Sequence, residues 1–228
     1  MTVVQQILYT REPRWWALAE AIGFSAPFPP TPEWAEFHAD GVLAVHRATD
    51  DHRPGRVDIH VLVEDLDAAA TALATYDAER GAMAGVGEIL TIRASSGVAI
   101  TVSEGTGGVT GDIRVQPIWF QRDLSEPRKI LEALGFRAGI AADRGGWIEM
   151  HGDGGSVGLH HGEPGIGLSF EARGDLEALA ARVRDAGFTA SVVDEAYART
   201  VRITDPDRGA EICINGTQED LHGYHREA

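Results

Sequence analysis

Lysine is almost missing from this chain: among twenty basic residues only Lys129 is a lysine, and the rest are arginine. The bias is read as a property of the coding sequence, but it has a chemical consequence. Schiff-base mechanisms lose their nucleophile, because Lys129 falls on a predicted helix with no sign of burial. Cysteine is nearly missing too, and a lone Cys213 excludes an intrachain disulfide and suits a reducing compartment. No apolar run approaches the ~18 residues that a membrane-spanning helix needs, and the opening Met-Thr-Val-Val-Gln-Gln is unlike a secretory leader. A soluble cytoplasmic protein with no membrane partner is therefore expected. Basic residues are outnumbered 35 to 20, for a net charge of -15. Such a field repels phosphate backbones, which argues against nucleic acid, and favours cationic ligands.

What is present is present twice. The stretch Trp34-Ala-Glu-Phe-His38-Ala-Asp40-Gly41 returns about 113 residues later as Trp147-Ile-Glu-Met-His151-Gly-Asp153-Gly154. In the same order, Gln5 and Ile7 return as Gln116 and Ile118, and Ile22-Gly23-Phe24 as Leu134-Gly135-Phe136. Matches at nearly constant offset mark a duplication. The 228 residues suit two compact domains of about 100 to 115 residues each. The expected division is residues 1–104, a Gly-rich linker at 105–112, residues 113–217, and a tail at 218–228 that lacks periodicity and should fray.

Each half reads as strand, helix and further short strands. In the first, a strand over Val3 to Thr10 precedes a helix over Glu12 to Ile22, with Trp15, Leu18, Ala19 and Ile22 at helical spacing. Strands follow at Trp34 to His38 and Val42 to Arg47 around the Asp40-Gly41 turn. A second unit has a strand over Val57 to Val63, a helix from Asp65 to about Tyr76, and strands near Glu88 to Arg93 and Val98 to Ser103. The second half repeats the plan, with strands over Arg114 to Gln121 and Ile166 to Ala172, helices over Ser125 to Leu134 and Asp175 to Ala186, and hairpins around Asp153-Gly154 and Asp205 to Gly209. Trp15 and Trp16 are adjacent and cannot share one buried face. Trp16 is left for an interdomain or subunit surface, which keeps a homodimer open.

Asp123-Leu124-Ser125 leading into a helix that ends Leu134-Gly135-Phe136, with Asp205-Pro-Asp-Arg-Gly-Ala-Glu-Ile-Cys-Ile214 near the end of the chain, resembles the vicinal oxygen chelate superfamily. That group includes glyoxalase I, bleomycin-resistance proteins, fosfomycin-resistance enzymes and extradiol dioxygenases. The resemblance implies an α+β fold of four βαβββ units, forming two glyoxalase/bleomycin-resistance-like domains with curved mixed sheets and outer helices. It also implies a cavity inside each sheet, in which many members hold a divalent metal.

Alternation sorts the strand residues by face without the family. Gln5, His46, Asp58, His60 and Thr101 fall on the inward face of the first half, and Gln116, His160, Glu211 and Cys213 on that of the second. The positions at which the resemblance implies metal ligands read Gln5, Ala44, Asp58 and Thr101, then Gln116, Gly158, Gly167 and Cys213. Few of these bind metals well, so no metal or other cofactor is favoured. The alternative is a displaced first-half site of Gln5, His46, Asp58 and His60 for iron, manganese, nickel or zinc. Trp34 and Trp147 are either structural anchors or platforms that stack on a flat ligand. His38 and His151 are expected to fix the Asp-Gly turns by side-chain hydrogen bonds. Cys213 is expected to be a small lining residue rather than a reactive thiolate.

Two motif matches carry nothing. Gly154-Gly-Ser156-Val-Gly158 lacks the strand-turn-helix setting of a nucleophile elbow. Asn215-Gly-Thr217 matters only in a secreted chain. The leading expectation is metal-independent binding of a small aromatic or cationic molecule, as in drug or metabolite sequestration. The alternative is a divalent-metal-dependent lyase or dioxygenase built on the displaced first-half group.

Overall fold

The computed structural model describes residues 1–83, 85–108, 110–195, 198–207 and 211–227. The second half of the hairpin expected around Asp205 to Gly209, with Arg208, Gly209 and the adjoining Ala210, lies outside the described residues.

The first half places α1 (Arg14–Ile22) and α2 (Leu66–Ala72) against one sheet. Its strands are β1 (Thr2–Thr10), β2 (Trp34–Ala39), β3 (Gly41–Arg47), β4 (Val57–Val63), β5 (Asp77–Met83), β6 (Gly87–Arg93) and β7 (Ala99–Glu104), ordered β2-β3-β1-β4-β7-β6-β5. The α2 helix starts on an Asp65 carboxylate that accepts from the Ala68 N–H, and stops at Ala72, short of the expected Tyr76. The chain then enters β5, an exposed strand without the alternation that would betray it in sequence. In the first unit, the strand that should precede β2 is reduced to a bridge between Ser25 and His38. Prolines at 27, 29, 30 and 32 explain this, since proline cannot donate to a ladder.

The second half contains β8 (Ile113–Val115), β9 (Ile118–Gln121), α3 (Ser125–Ala133), β10 (Arg137–Ala142), β11 (Trp147–His151), β12 (Ser156–His161), β13 (Gly165–Gly167), β14 (Phe170–Ala172), α4 (Leu176–Asp185), β15 (Ala190–Asp194), β16 (Arg199–Thr204), β17 (Glu211–Gly216) and β18 (Tyr224–Arg226). The single strand expected over Arg114 to Gln121 breaks at Pro117, and that over Ile166 to Ala172 breaks at Leu168 and Ser169. The pieces join two sheets, ordered β13-β9-β12-β11-β10-β18 and β15-β16-β17-β14-β8. The two broken strands thus bend the second half around an interior.

In both halves the units pair in chain order: β1 lies antiparallel to β4, and β8 and β9 to β14 and β13. The main apolar core spans both halves, with Trp15, Leu18, Phe37, Trp119, Phe170 and Ile214 all buried in it, and a smaller cluster holds Val3, Val42 and Leu62. Trp16 packs at the edge of the main core. The tail does not fray through residue 227. β18 extends the sheet beside β10, Arg128 donates twice to Glu227 at 3.0 and 3.2 Å, and the Glu227 N–H donates to Gly139. Among the described residues no helix is long and apolar enough to cross a membrane.

The duplicated turns reach across to the opposite half. Asp153 and Gly154 bond to Thr2 and Val4 of β1, while Asp40 bonds through its backbone to Ile113 and Val115 of β8. Gly41 adopts φ 92°, and a Cβ there would stand 2.2 Å from the Val115 side chain. Backbone conformation and close approach both demand glycine at this turn.

Candidate functional site

A cavity of about 550 Å3 lies inside the bent second half. Its apolar wall comes from Ile118 and Phe120 on β9, Ile140 on β10, Trp147 on β11, Leu168, and Tyr224 on β18. Its floor is charged, and every charge there is placed by strand alternation. Arg114 and Gln116 extend from β8 and its end, Glu149 and His151 from β11, and Glu171 from β14 with Arg173 just beyond it.

The floor is a connected network. The Gln116 amide donates to Glu149 Oε1 at 3.0 Å and to Ser156 Oγ at 3.2 Å. His151 Nε2 lies 3.3 Å from Glu149 Oε2. Arg114 Nη1 stands 3.6 Å from both Glu149 Oε1 and Glu171 Oε1, and 3.4 Å from His151 Nδ1. Arg114 Nε donates at 2.8 Å to Asp40 Oδ2, which also receives Arg173 Nη2 at 2.7 Å, while Asp40 Oδ1 accepts from the Gly155 N–H at 2.8 Å. Burial alone would raise the Glu149 carboxyl, but hydrogen bonding and charge from His151, with Arg114, hold it below the ordinary carboxylate range. Glu171 goes the other way: burial, then the neighbouring Glu149 charge, push it up against the pull of Arg114.

The first half carries the same trio. Gln5 Nε2 is 3.4 Å from Glu36 Oε2, and His38 Nε2 pairs with Glu36 Oε1. His38 and His151 therefore bond to inward carboxylates and do not fix the Asp-Gly turns. On this face His60 is buried with both ring nitrogens engaged, Nδ1 2.7 Å from Thr101 Oγ1 and Nε2 2.8 Å from Ser103 Oγ. Burial pushes it down to about 4. Gly105 and Gly107 lie close over Leu62, Val42 and Val3, so the linker packs on the inward face of the first half.

Of the residues singled out in sequence, Gln116, Trp147, His160 and Cys213 line the cavity. Glu211 does not; it is exposed and pairs with Arg202 at 3.0 Å. Cys213 keeps its proton more firmly than a free thiol, because burial raises it. Trp34 stands edge-on to His46, as Trp147 does to His160, with ring centroids 5.6 and 6.1 Å apart. His46 borders an outer hollow of about 680 Å3 with Trp16 and Thr49. That hollow is the larger by volume, but it is lined by the ends of β1 and β3 and the segments beside them, so the second-half cavity, which holds the connected floor, is the better candidate.

In the structure the His46, Asp58 and His60 side chains of the displaced group each meet other partners. His46 Nδ1 contacts the Arg47 carbonyl oxygen at 2.9 Å, Asp58 accepts from Arg56 Nε at 2.9 Å, and His60 is held by its two hydroxyls. The positions implied by the family fare no better in the second half. A Cβ at Gly158 would lie 2.3 Å from the Trp147 ring, and one at Gly167 would lie 3.0 Å from Phe120, so aromatic rings occupy the space of ligand side chains. Among the described residues no group of three His, Cys, Asp or Glu side chains is placed to hold a metal.

Solved structures settle the architecture. The chain is similar to the Mn(II)-bound glyoxalase from Novosphingobium aromaticivorans, at 14% identity and TM-score 0.63 over 95% of this chain and 81% of that one. A catechol 2,3-dioxygenase matches at 15% identity and TM-score 0.62 over 98% and 94% of the two chains. The chain has the vicinal oxygen chelate fold. The 2,3-dioxygenase LapB from Pseudomonas sp. KL28 agrees, at 13% identity and TM-score 0.61 over 99% and 92%. No protein-family model matches the sequence, and no curated protein sequence does either. Identities this low establish the vicinal oxygen chelate architecture and leave activity to the site itself.

Proposed function

We propose that the chain binds a small organic molecule, aromatic or cationic, in its second-half cavity without a bound metal. The observation that carries this is the combination of an aromatic wall, with Trp147, Phe120 and Tyr224, and a charged floor, in one cavity of about 550 Å3. That volume suits a molecule of one to a few rings, and apolar walls with few polar groups are the usual make-up of such sites. Strand pairing within each half supports reading residues 1–104 and 113–217 as two domains, of which the second offers the cavity. Titration of planar and cationic compounds, followed by tryptophan fluorescence, tests the reading. Trp147→Ala should weaken binding about tenfold, in line with the loss of an aromatic contact. Equal affinity in the variant would remove Trp147 from the site.

The similarity to a Mn(II)-bound glyoxalase supports a second reading, a divalent-metal-dependent lyase or dioxygenase. Elemental analysis after dialysis against iron, manganese, nickel and zinc separates the two. Retention of about one metal per chain, lost in His46→Ala and His60→Ala, would put the enzyme reading first.

A further inference from the structure

Glu149 and Glu171 face the same floor but are not equally satisfied. Both oxygens of Glu149 have partners, from Gln116 and Arg114 on Oε1 and from His151 on Oε2. Both contacts of Glu171 fall on Oε1, at the long distances of 3.6 Å to Arg114 Nη1 and 3.5 Å to Thr217 Oγ1. Its Oε2 has no partner among the described residues, although the side chain is only 12% exposed and lines the cavity. That oxygen is open to the cavity, where a donor carried by a ligand can meet it without displacing a protein partner.

We infer that Glu171 Oε2 is the anchor for a cationic N–H donor, and that the cavity is built for an aromatic amine rather than an aromatic acid. The inference rests on the small-molecule-binding reading above and narrows its ligand class. Charge balance supports it. Asp40, Glu149 and Glu171 share the guanidiniums of Arg114 and Arg173, and Glu149 also has His151 beside it, so Glu171 is the carboxylate with the least cationic support. A protonated amine at Oε2 supplies that support, whereas a carboxylate there would meet like charge. The remaining basic group on the wall, Arg226, is exposed on β18. The ring of the ligand would then lie along Trp147 and Phe120.

Three probes of nearly equal shape test this: 2-phenylethylamine, 2-phenylethanol and phenylacetate, titrated into the full chain by tryptophan fluorescence and calorimetry. The amine is expected to bind at least tenfold more tightly than the alcohol, and the acid more weakly than either. Glu171→Gln should bring amine affinity down to that of the alcohol and leave the alcohol unchanged. The wild-type amine-to-alcohol ratio is decisive even if the variant folds poorly. Equal affinities, or tighter binding of the acid, would overturn the inference and leave the cavity reading standing. No binding of any probe, with Trp147→Ala indistinguishable from wild type, would overturn both.

Discussion

Asp40 of the first half lies 2.8 Å from Arg114 of the second, and this buried pair holds the floor of the cavity from behind. The Asp40 carboxylate also receives Arg173 and the Gly155 N–H, so a turn residue of one repeat organises the binding face of the other. Arg114 is oriented by Asp40 at Nε, which aims Nη1 between Glu149 and Glu171.

Asp40→Asn should therefore cost stability well beyond the loss of a surface ion pair. The change strips the buried Arg114 of its shortest acceptor and leaves it only the longer contacts to Glu149 and Glu171, at about 3 kcal/mol. Urea denaturation of Asp40→Asn, Arg114→Met and the double variant gives the coupling. Additive losses would mean that the pair does not act as a unit.

Gly158 is predicted to be intolerant of even one methyl group. An added Cβ would lie 2.3 Å from the Trp147 ring and 2.8 Å from Ile118. Gly158→Ala should cost about 2 kcal/mol through overpacking and shift tryptophan emission as the indole moves. In a Trp147→Ala background the same change should cost less, because the ring that it strikes is gone. An equal cost in both backgrounds would place the strain elsewhere.

His60 should make the protein sensitive to acid. Burial lowers its folded pKa to about 4, against about 6.5 unfolded. A base depressed in the folded state contributes stability that is complete above the unfolded value and is lost as pH falls toward the folded one. The window is pH 6.5 to 4, and the loss is ~3 kcal/mol for one proton. Urea midpoints of wild type and His60→Gln should converge across that window as the pH is lowered. Parallel curves would show that some other group titrates.

The tail should matter to binding as much as any strand of the cavity. Truncation after Thr217 removes β18, and with it Tyr224, Arg226 and the Arg128–Glu227 ion pair. Hydrogen exchange at Ile140 to Ala142 should accelerate as their ladder partners vanish, and the cavity should lose ligand affinity. Unchanged exchange would mean that the strand is not held in solution.

The architecture is legible in the sequence because the duplication doubles every weak signal. Gln5 with Gln116 and Trp34 with Trp147 are enough to show which strands of the two halves correspond. The floor is less legible, although its signal is present. Glu36 and Glu149 stand two residues from Trp34 and Trp147, so strand alternation puts them on the same face, beside His38 and His151. Alternation likewise puts Arg114 on the face of Gln116. The likeness to metal-binding relatives points instead to the first and last strands of each unit, and so away from these residues. Asp40 cannot be read at all: its turn explains it locally, and nothing in the chain announces a partner at Arg114. His46, Asp58 and His60 mislead in the opposite direction. They share a face, but each has its own neighbouring partner, and sharing a face does not by itself bring side chains to one point.

The reciprocal docking of the two Asp-Gly turns also bears on how the chain could change over time. A repeat that lends a counter-ion to its sister is no longer a spare copy. Deleting the first half would not return the second to a free-standing ancestor, because it would strand Arg114 without its deepest anchor and leave β8 without the backbone of Asp40. The first half has become a permanent fitting of the second, held wherever its neighbour leans on it and above all at the Asp40 turn.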